Sequence, residues 1–240
     1  MSIVPPTDID PQGGKWARVF TALPDLGLSL AFLITWIAPL TFSPKAVSYF
    51  LLVMLMEFII VHSAGFMGSV VFNKPLSTHI KIKMLLGLGA FYGLFAAGFA
   101  LGFRAWWPLW TILLLTLNRI LIVLIGPMPD GRERIFIQKG WAAATVFYLL
   151  FVFVTLFLPI PALGVTDEVI RLQEFTSSGA WIDEPYRVLA FGFLYFLATG
   201  LSELYSHRWI SVGHLPDLTP PAEGTAPAAD AQGPMEPATS

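Results

Sequence analysis

The chain has 240 residues, of which 55% are hydrophobic and only 12% charged. A soluble domain carries about a quarter of its residues charged, so the composition argues against an ordinary soluble fold and makes the lipid bilayer the expected surroundings. A net charge of -2 without a basic run argues against nucleic acid as a partner, and the absence of cysteine removes disulfides, thiolate ligands and cysteine nucleophiles.

Residues 1–19 read as a cytoplasmic N-terminal segment. Asp8, Asp10 and three prolines precede Gly14, with no basic region leading into a short apolar core. The first apolar stretch is therefore expected to be a retained span, not a cleaved leader. A helical span needs about 20 apolar residues, and six segments qualify: 20–42, 46–72, 84–103, 107–125, 141–163 and 188–209. None shows sustained period-two alternation, so the expectation is an all-α, polytopic membrane bundle of six transmembrane helices over 20–210. Residues 211–240, rich in Pro, Ala, Gly and acidic residues, have too little to bury and read as a disordered cytoplasmic tail.

Charge sets the expected orientation. With the N-terminus inside, Lys15, Arg18, Lys74, Lys81, Lys83, Arg132, Arg134, Lys139 and Arg208 lie inside, against Lys45, Arg104, Arg171 and Arg187 outside. Arg119 is left within a span. The tryptophans agree, with Trp16, Trp141 and Trp209 at one boundary and Trp36, Trp106, Trp107 and Trp110 at the other. Both termini are expected to be cytoplasmic, in a plasma (inner) membrane.

The first span carries Asp25 and Ser29 one helical turn apart, just after Pro24. The second, AVSYFLLVMLMEFIIVHSAGFMGSVVF, places Glu57 and His62 in an otherwise apolar stretch. An ionisable group at that depth costs roughly 2.5 to 3.5 kcal/mol on insertion scales, so it is normally paired, hidden from lipid, or used. At about 100° per residue, Glu57 and His62 lie about 140° apart and flank a small-residue groove centred near Gly65, with Ser69 on its edge. Both are expected to point into the bundle, leaving Leu52, Ile60 and Met67 towards lipid. The third span, with Gly89, Gly93 and Ala97 at four-residue intervals, reads as an interior helix. In the fourth, Thr111, Asn118 and Arg119 share a face. The fifth is evenly apolar and reads as peripheral. In the loop after it, Val169, Ile170, Leu172 and Phe175 suggest one face of a short interfacial helix. The sixth carries Thr199, Gly200, Glu203, Ser206 and His207 as one polar stripe.

Counted from the cytoplasmic ends at the helical rise, Arg119 and Glu203 both lie about 9 to 10 Å deep, His62 about 15 Å and Glu57 about 22 Å. Arg119 with Glu203 is the expected ion pair, whereas Glu57 has no cation at its own depth. Such groups commonly do no more than hold helices together. For Glu57 with His62, however, an acid lacking a resident cation is a costly fastening, and three functional readings follow. The first is proton- or ion-linked transport, with Glu57, His62, Asn118, Arg119, Glu203 and His207 as the site and Asp25, Ser69 and Thr199 as accessories. The second is a membrane redox protein or metalloenzyme using His62 and His207 as ligands, although the spacings depart from the Glu-x-x-His of di-iron bundles. The third is a non-catalytic subunit or scaffold, partnered by further copies or by a membrane complex. His79 and His214 read as surface residues. No phosphate loop, HExxH or GxSxG is present, and no cofactor is indicated.

Overall fold

The computed structural model describes residues 15–126, 131–175, 178–207 and 209, and among them the chain is helical with no strand. The 211–240 tail, His214 and the first 14 residues lie outside that set. The helices are α1 (Lys15–Ile37), α2 (Ala46–Phe72), α3 (Thr78–Gly102), α4 (Trp107–Ile125), α5 (Gly131–Phe157), α6 (Asp167–Gln173), α7 (Ala180–Asp183) and α8 (Pro185–Leu204). Six of them, all but α6 and α7, are long and apolar enough to cross a membrane.

Proline punctuates the bundle. Pro39 follows the end of α1, Pro159 and Pro161 follow α5, and Pro108 and Pro185 occupy the first turns of α4 and α8, where a missing N–H costs no bond. This explains why α5 stops at Phe157 although the apolar stretch runs on to Leu163. At the far end of α2, the buried Lys81 ammonium donates to the Val71 carbonyl at 2.9 Å, satisfying an acceptor that the helix end leaves open. Lys81, expected on a surface loop, is thus the cap of the preceding helix.

Helix α2 is the central element, because two hydrophobic cores meet on it. Val47, Leu51 and Met54 pack with Phe32 of α1, Tyr148 of α5 and Val188, Leu189, Phe191 and Tyr195 of α8. Leu52, Met56, Ile59 and Met67 pack with Leu85, Tyr92 and Ala96 of α3 and Ile112 of α4. The arc expected to face lipid is therefore covered: Leu52 and Met67 are fully buried and Ile60 is half-buried. Helix α3 departs from its expected interior position. Only Gly89 meets a neighbour closely, where a Cβ would lie 2.7 Å from Thr116 Oγ1 of α4. Gly87, Gly93, Gly98 and Gly102 face open space. The close crossing uses Gly89; Ala96 and Ala100 are buried in the packing, and the other glycines of α3 lie open.

Helix α5 lies at the edge, burying Ala143, Tyr148 and Thr155 while Leu149, Leu150 and Phe153 stay exposed. Helix α6 forms where the loop's apolar face suggested one, with Thr166 accepting from the Val169 N–H as its cap. It rests on protein, since Val169 and Gln173 are buried and Gln173 accepts from Ser48 N and donates to the Pro44 carbonyl. Leu172, expected on its apolar face, is exposed.

The same corner is held by an exposed ion pair, Lys45 Nζ to Glu174 Oε2 at 2.8 Å. The hydrogen bond from Lys45, reinforced by its charge, holds the Glu174 carboxyl below the ordinary carboxylate range. A depressed carboxylate contributes stability above its unfolded pKa and loses it as the pH falls through the folded value. Hydrogen exchange in α6, corrected for intrinsic rates, should therefore rise in acid below about pH 4. In Lys45→Met that acid step should disappear; a step of unchanged size in the variant would show that the pair does not hold the corner.

Candidate functional site

The polar groups of three helices converge between α1, α2 and α8. Tyr195 of α8 donates its phenolic proton to Glu57 Oε1 of α2 at 2.7 Å. Tyr195 is 1% exposed, and its ring meets Tyr148 of α5 edge-on, with centroids 5.6 Å apart. The Tyr148 hydroxyl donates to the Met54 carbonyl of α2 at 3.0 Å, so the second phenol is committed to the backbone and frames the first. Asp25 of α1 reaches the same region because Gly200 of α8 has no side chain. A Cβ there would lie 2.9 Å from Leu26 Cγ and 3.3 Å from Asp25 Cβ. One turn on, the buried Ser29 hydroxyl donates to the Phe193 carbonyl at 3.0 Å and ties α1 to α8. Asp25 lies near enough to interact electrostatically with both Glu57 and Glu203. Glu203 Oε2 is buried and accepts no hydrogen bond from the described residues. Among the described residues no ion pair reaches Asp25, Glu57 or Glu203. Thr199 bonds within its own helix, to the Tyr195 carbonyl at 2.8 Å.

His62 lies elsewhere. Its ring is exposed, Nδ1 shares a 3.0 Å hydrogen bond with the Tyr92 hydroxyl of α3, and Phe58 and Phe66 pack on either side with centroids 5.6 and 4.9 Å away. The groove expected at Gly65 is occupied by the Trp141 indole of α5. A Cβ on Gly65 would lie 2.7 Å from Trp141 Cζ2, and Trp141 Nε1 donates to the Val61 carbonyl at 2.9 Å. Glu57 and His62 therefore face different neighbours across α2, and only Glu57 points into the bundle. Ser69, exposed, donates to the Phe66 carbonyl of its own helix at 2.7 Å.

The expected Arg119–Glu203 pair does not form. Arg119 belongs to α4, which joins the core on the α3 side of α2, whereas Glu203 belongs to α8 on the other side. Equal depth does not bring them together. The buried Arg119 Nε has no hydrogen-bond partner, and Asn118 beside it is exposed. The expected stripe from Thr199 to His207 is also cut short. Helix α8 ends at Leu204, and Ser206 and His207 adopt left-handed backbone, with φ of 52° and 50°. The reversal buries His207 against Phe136 and Gly140 of α5 and brings Nδ1 within 2.8 Å of Ser202 Oγ. Trp209 Nε1 donates to the same hydroxyl at 2.7 Å. His62 and His207 thus have separate partners on separate helices. No group of three or more His, Asp or Glu side chains able to hold a metal gathers among the described residues.

Tyr195 and Tyr92 are the residues that sequence reading passed over. A signal for Tyr195 was present, since Tyr195, Thr199 and Glu203 repeat at four-residue intervals and extend the polar stripe upward. Tyr92 carries no comparable signal, because only the packing of α3 on α2 brings it to His62.

The fold defines an all-helical protein with six helices of membrane-spanning length and half-buried carboxyl groups on α1, α2 and α8, with Asp25 in electrostatic range of both Glu57 and Glu203. Compared with protein-family models, curated proteins and solved structures, the chain matches none.

Proposed function

We propose that the chain is a multi-pass membrane protein, with both termini cytoplasmic in a plasma membrane, that moves protons or a small cation along Glu57, Asp25 and Glu203. The observation that carries this reading is that carboxyl groups on three helices, with Asp25 in electrostatic range of both Glu57 and Glu203, have no ion-paired cation among the described residues. A carboxylate walled by apolar side chains needs a proton or a cation to neutralise it, and a partner supplied from solution is one that can move. Tyr195 orients the Glu57 carboxyl by hydrogen bonding to one oxygen and leaves the other for the transported species. Asp25 and Glu203 then carry the path towards the end of the bundle where Lys15 and Leu204 lie. His62 falls outside this route.

In proteoliposomes, Glu57→Gln keeps the shape of the side chain and removes its charge, so pH-dependent flux should fall to the level of empty vesicles. Flux equal to that of the unsubstituted protein would remove the mechanism. A second reading, a subunit of a larger membrane complex, is favoured by the buried Arg119 Nε, which has no hydrogen-bond partner among the described residues, beside the exposed Asn118 on α4. Co-purification after mild solubilisation separates the two: a monodisperse single chain with flux supports transport, and a retained partner with no flux supports the subunit.

A further inference from the structure

Helices α3 and α5 pack on opposite sides of α2 and leave a furrow between them. In one half of the bundle the furrow widens into an apolar cleft of about 590 Å³, with Leu51 and Leu55 of α2 as its floor and Gly98, Phe99, Val152 and Leu156 among its walls. Gly98 is exposed with no atom near its missing Cβ, so the cleft opens sideways, through the surface that faces lipid if the six helices span a membrane. Beyond the cleft, the same face of α2 carries Phe58 and then His62. At about 100° per residue Leu51, Leu55, Phe58 and His62 fall within an arc of about 60°, and His62 lies about 10 Å beyond Leu55 along the axis. There the imidazole is exposed, with Nδ1 engaged by Tyr92 and Nε2 without a partner among the described residues. A polar group turned outward at this depth has no water to satisfy it.

We infer that the furrow binds a membrane quinone, its hydrocarbon tail in the cleft and its ring beside His62. Three features select that occupant. The cleft is lined by apolar side chains and glycine, which suits a tail with no polar branches. The groups farther along the same face of α2, the His62 imidazole and the Tyr92 phenol, are hydrogen-bonding partners for a carbonyl or hydroxyl. No lysine or arginine lines the cleft, as a phosphate headgroup would need. Phe58 and Phe66 flank the imidazole, so a flat ring docking at Nε2 meets aromatic faces and edges. The inference is one of binding alone, and it rests on the membrane-spanning reading of the six helices but not on the transport route.

The test is equilibrium binding of decylubiquinone to the full chain in lipid nanodiscs, read by quenching of tryptophan fluorescence (Trp181 lines the cleft), with empty nanodiscs subtracted. Saturable binding is expected. Gly98→Phe, whose Cβ has open space around it and whose ring would occupy the cleft, should abolish it, and His62→Leu should weaken it about tenfold, the loss of one hydrogen bond. Tyr92→Phe, which keeps the packing, should weaken it less, and unchanged melting temperatures establish that the variants fold. Absence of saturable binding, equal affinity for decylphosphocholine, or binding indifferent to both Gly98→Phe and His62→Leu would overturn the inference. Proton flux measured on the same protein keeps the two readings apart. Flux without quinone binding overturns this inference alone, and quinone binding without flux overturns only the transport reading.

Discussion

Gly192→Ala should lower the unfolding free energy in detergent by about 1 to 3 kcal/mol, the usual cost of forcing an extra carbon into a filled core. The ordinary effect of this substitution in a helix is the opposite, because alanine gains up to about 1 kcal/mol over glycine. Here the new methyl would fall inside hard contact with the Phe32 ring of α1. Phe32 is 0% exposed and held edge-on by Phe50 at 4.6 Å and stacked on Phe196 at 5.5 Å, so it has no free rotamer to retreat into. The strain has to be taken up by separating α1 from α8, and that separation would also pull Asp25 away from Gly200. Gly98→Ala is the matched control, because open space surrounds that position. It should leave stability within about 0.5 kcal/mol or raise it slightly. Circular dichroism melts of the two purified variants decide the matter. Equal stability in both would mean that α1 and α8 are not as closely packed as described.

The second large effect concerns the hydrogen bond at the centre of the polar cluster. Tyr195→Phe removes one oxygen and leaves Glu57 buried without its donor, which should cost about 1 to 3 kcal/mol. Glu57→Met removes the acceptor at similar length and flexibility and strands the Tyr195 hydroxyl. The double variant replaces both partners with apolar groups and should be destabilised by less than the sum of the two, with a coupling of about 0.5 to 3 kcal/mol. Additive losses would show that the two side chains do not share a bond. Under the transport proposal flux gives an independent readout: Tyr195→Phe should retain reduced transport, because the Glu57 carboxyl is still present, whereas Glu57→Met should have none.

The six apolar helices, the loop helix α6 and the position of each polar residue along its helix could all be read in advance, because length, proline placement and helical rise are local properties. Glu57 was recognisable as the odd residue of its span for the same reason. Its partner was not, and neither was the direction of His62. The count of about 140° between them correctly separated them in angle. It gave no indication that Trp141 would fill the Gly65 groove, or that α8 would approach one side of α2 and α3 the other. Depth likewise matched Arg119 with Glu203 and still paired them wrongly, since depth carries no information about which helices are neighbours.

By itself, then, the sequence determined that six apolar helices follow one another and that acids, a guanidinium and an imidazole would be carried inside them, while several ends moved, α5 stopping at Phe157 and α8 at Leu204. The tertiary structure alone decided which of those groups meet. In a soluble helix the contrast between polar and apolar faces tells the core side from the solvent side. In a helix suited to lipid both faces are apolar, so hydrophobicity sets no azimuth, and packing of small against large residues must supply it. Gly192 against Phe32 and Gly200 against Leu26 and Asp25 are such contacts, and they set Asp25 of α1 against α8, within electrostatic range of Glu57 and Glu203.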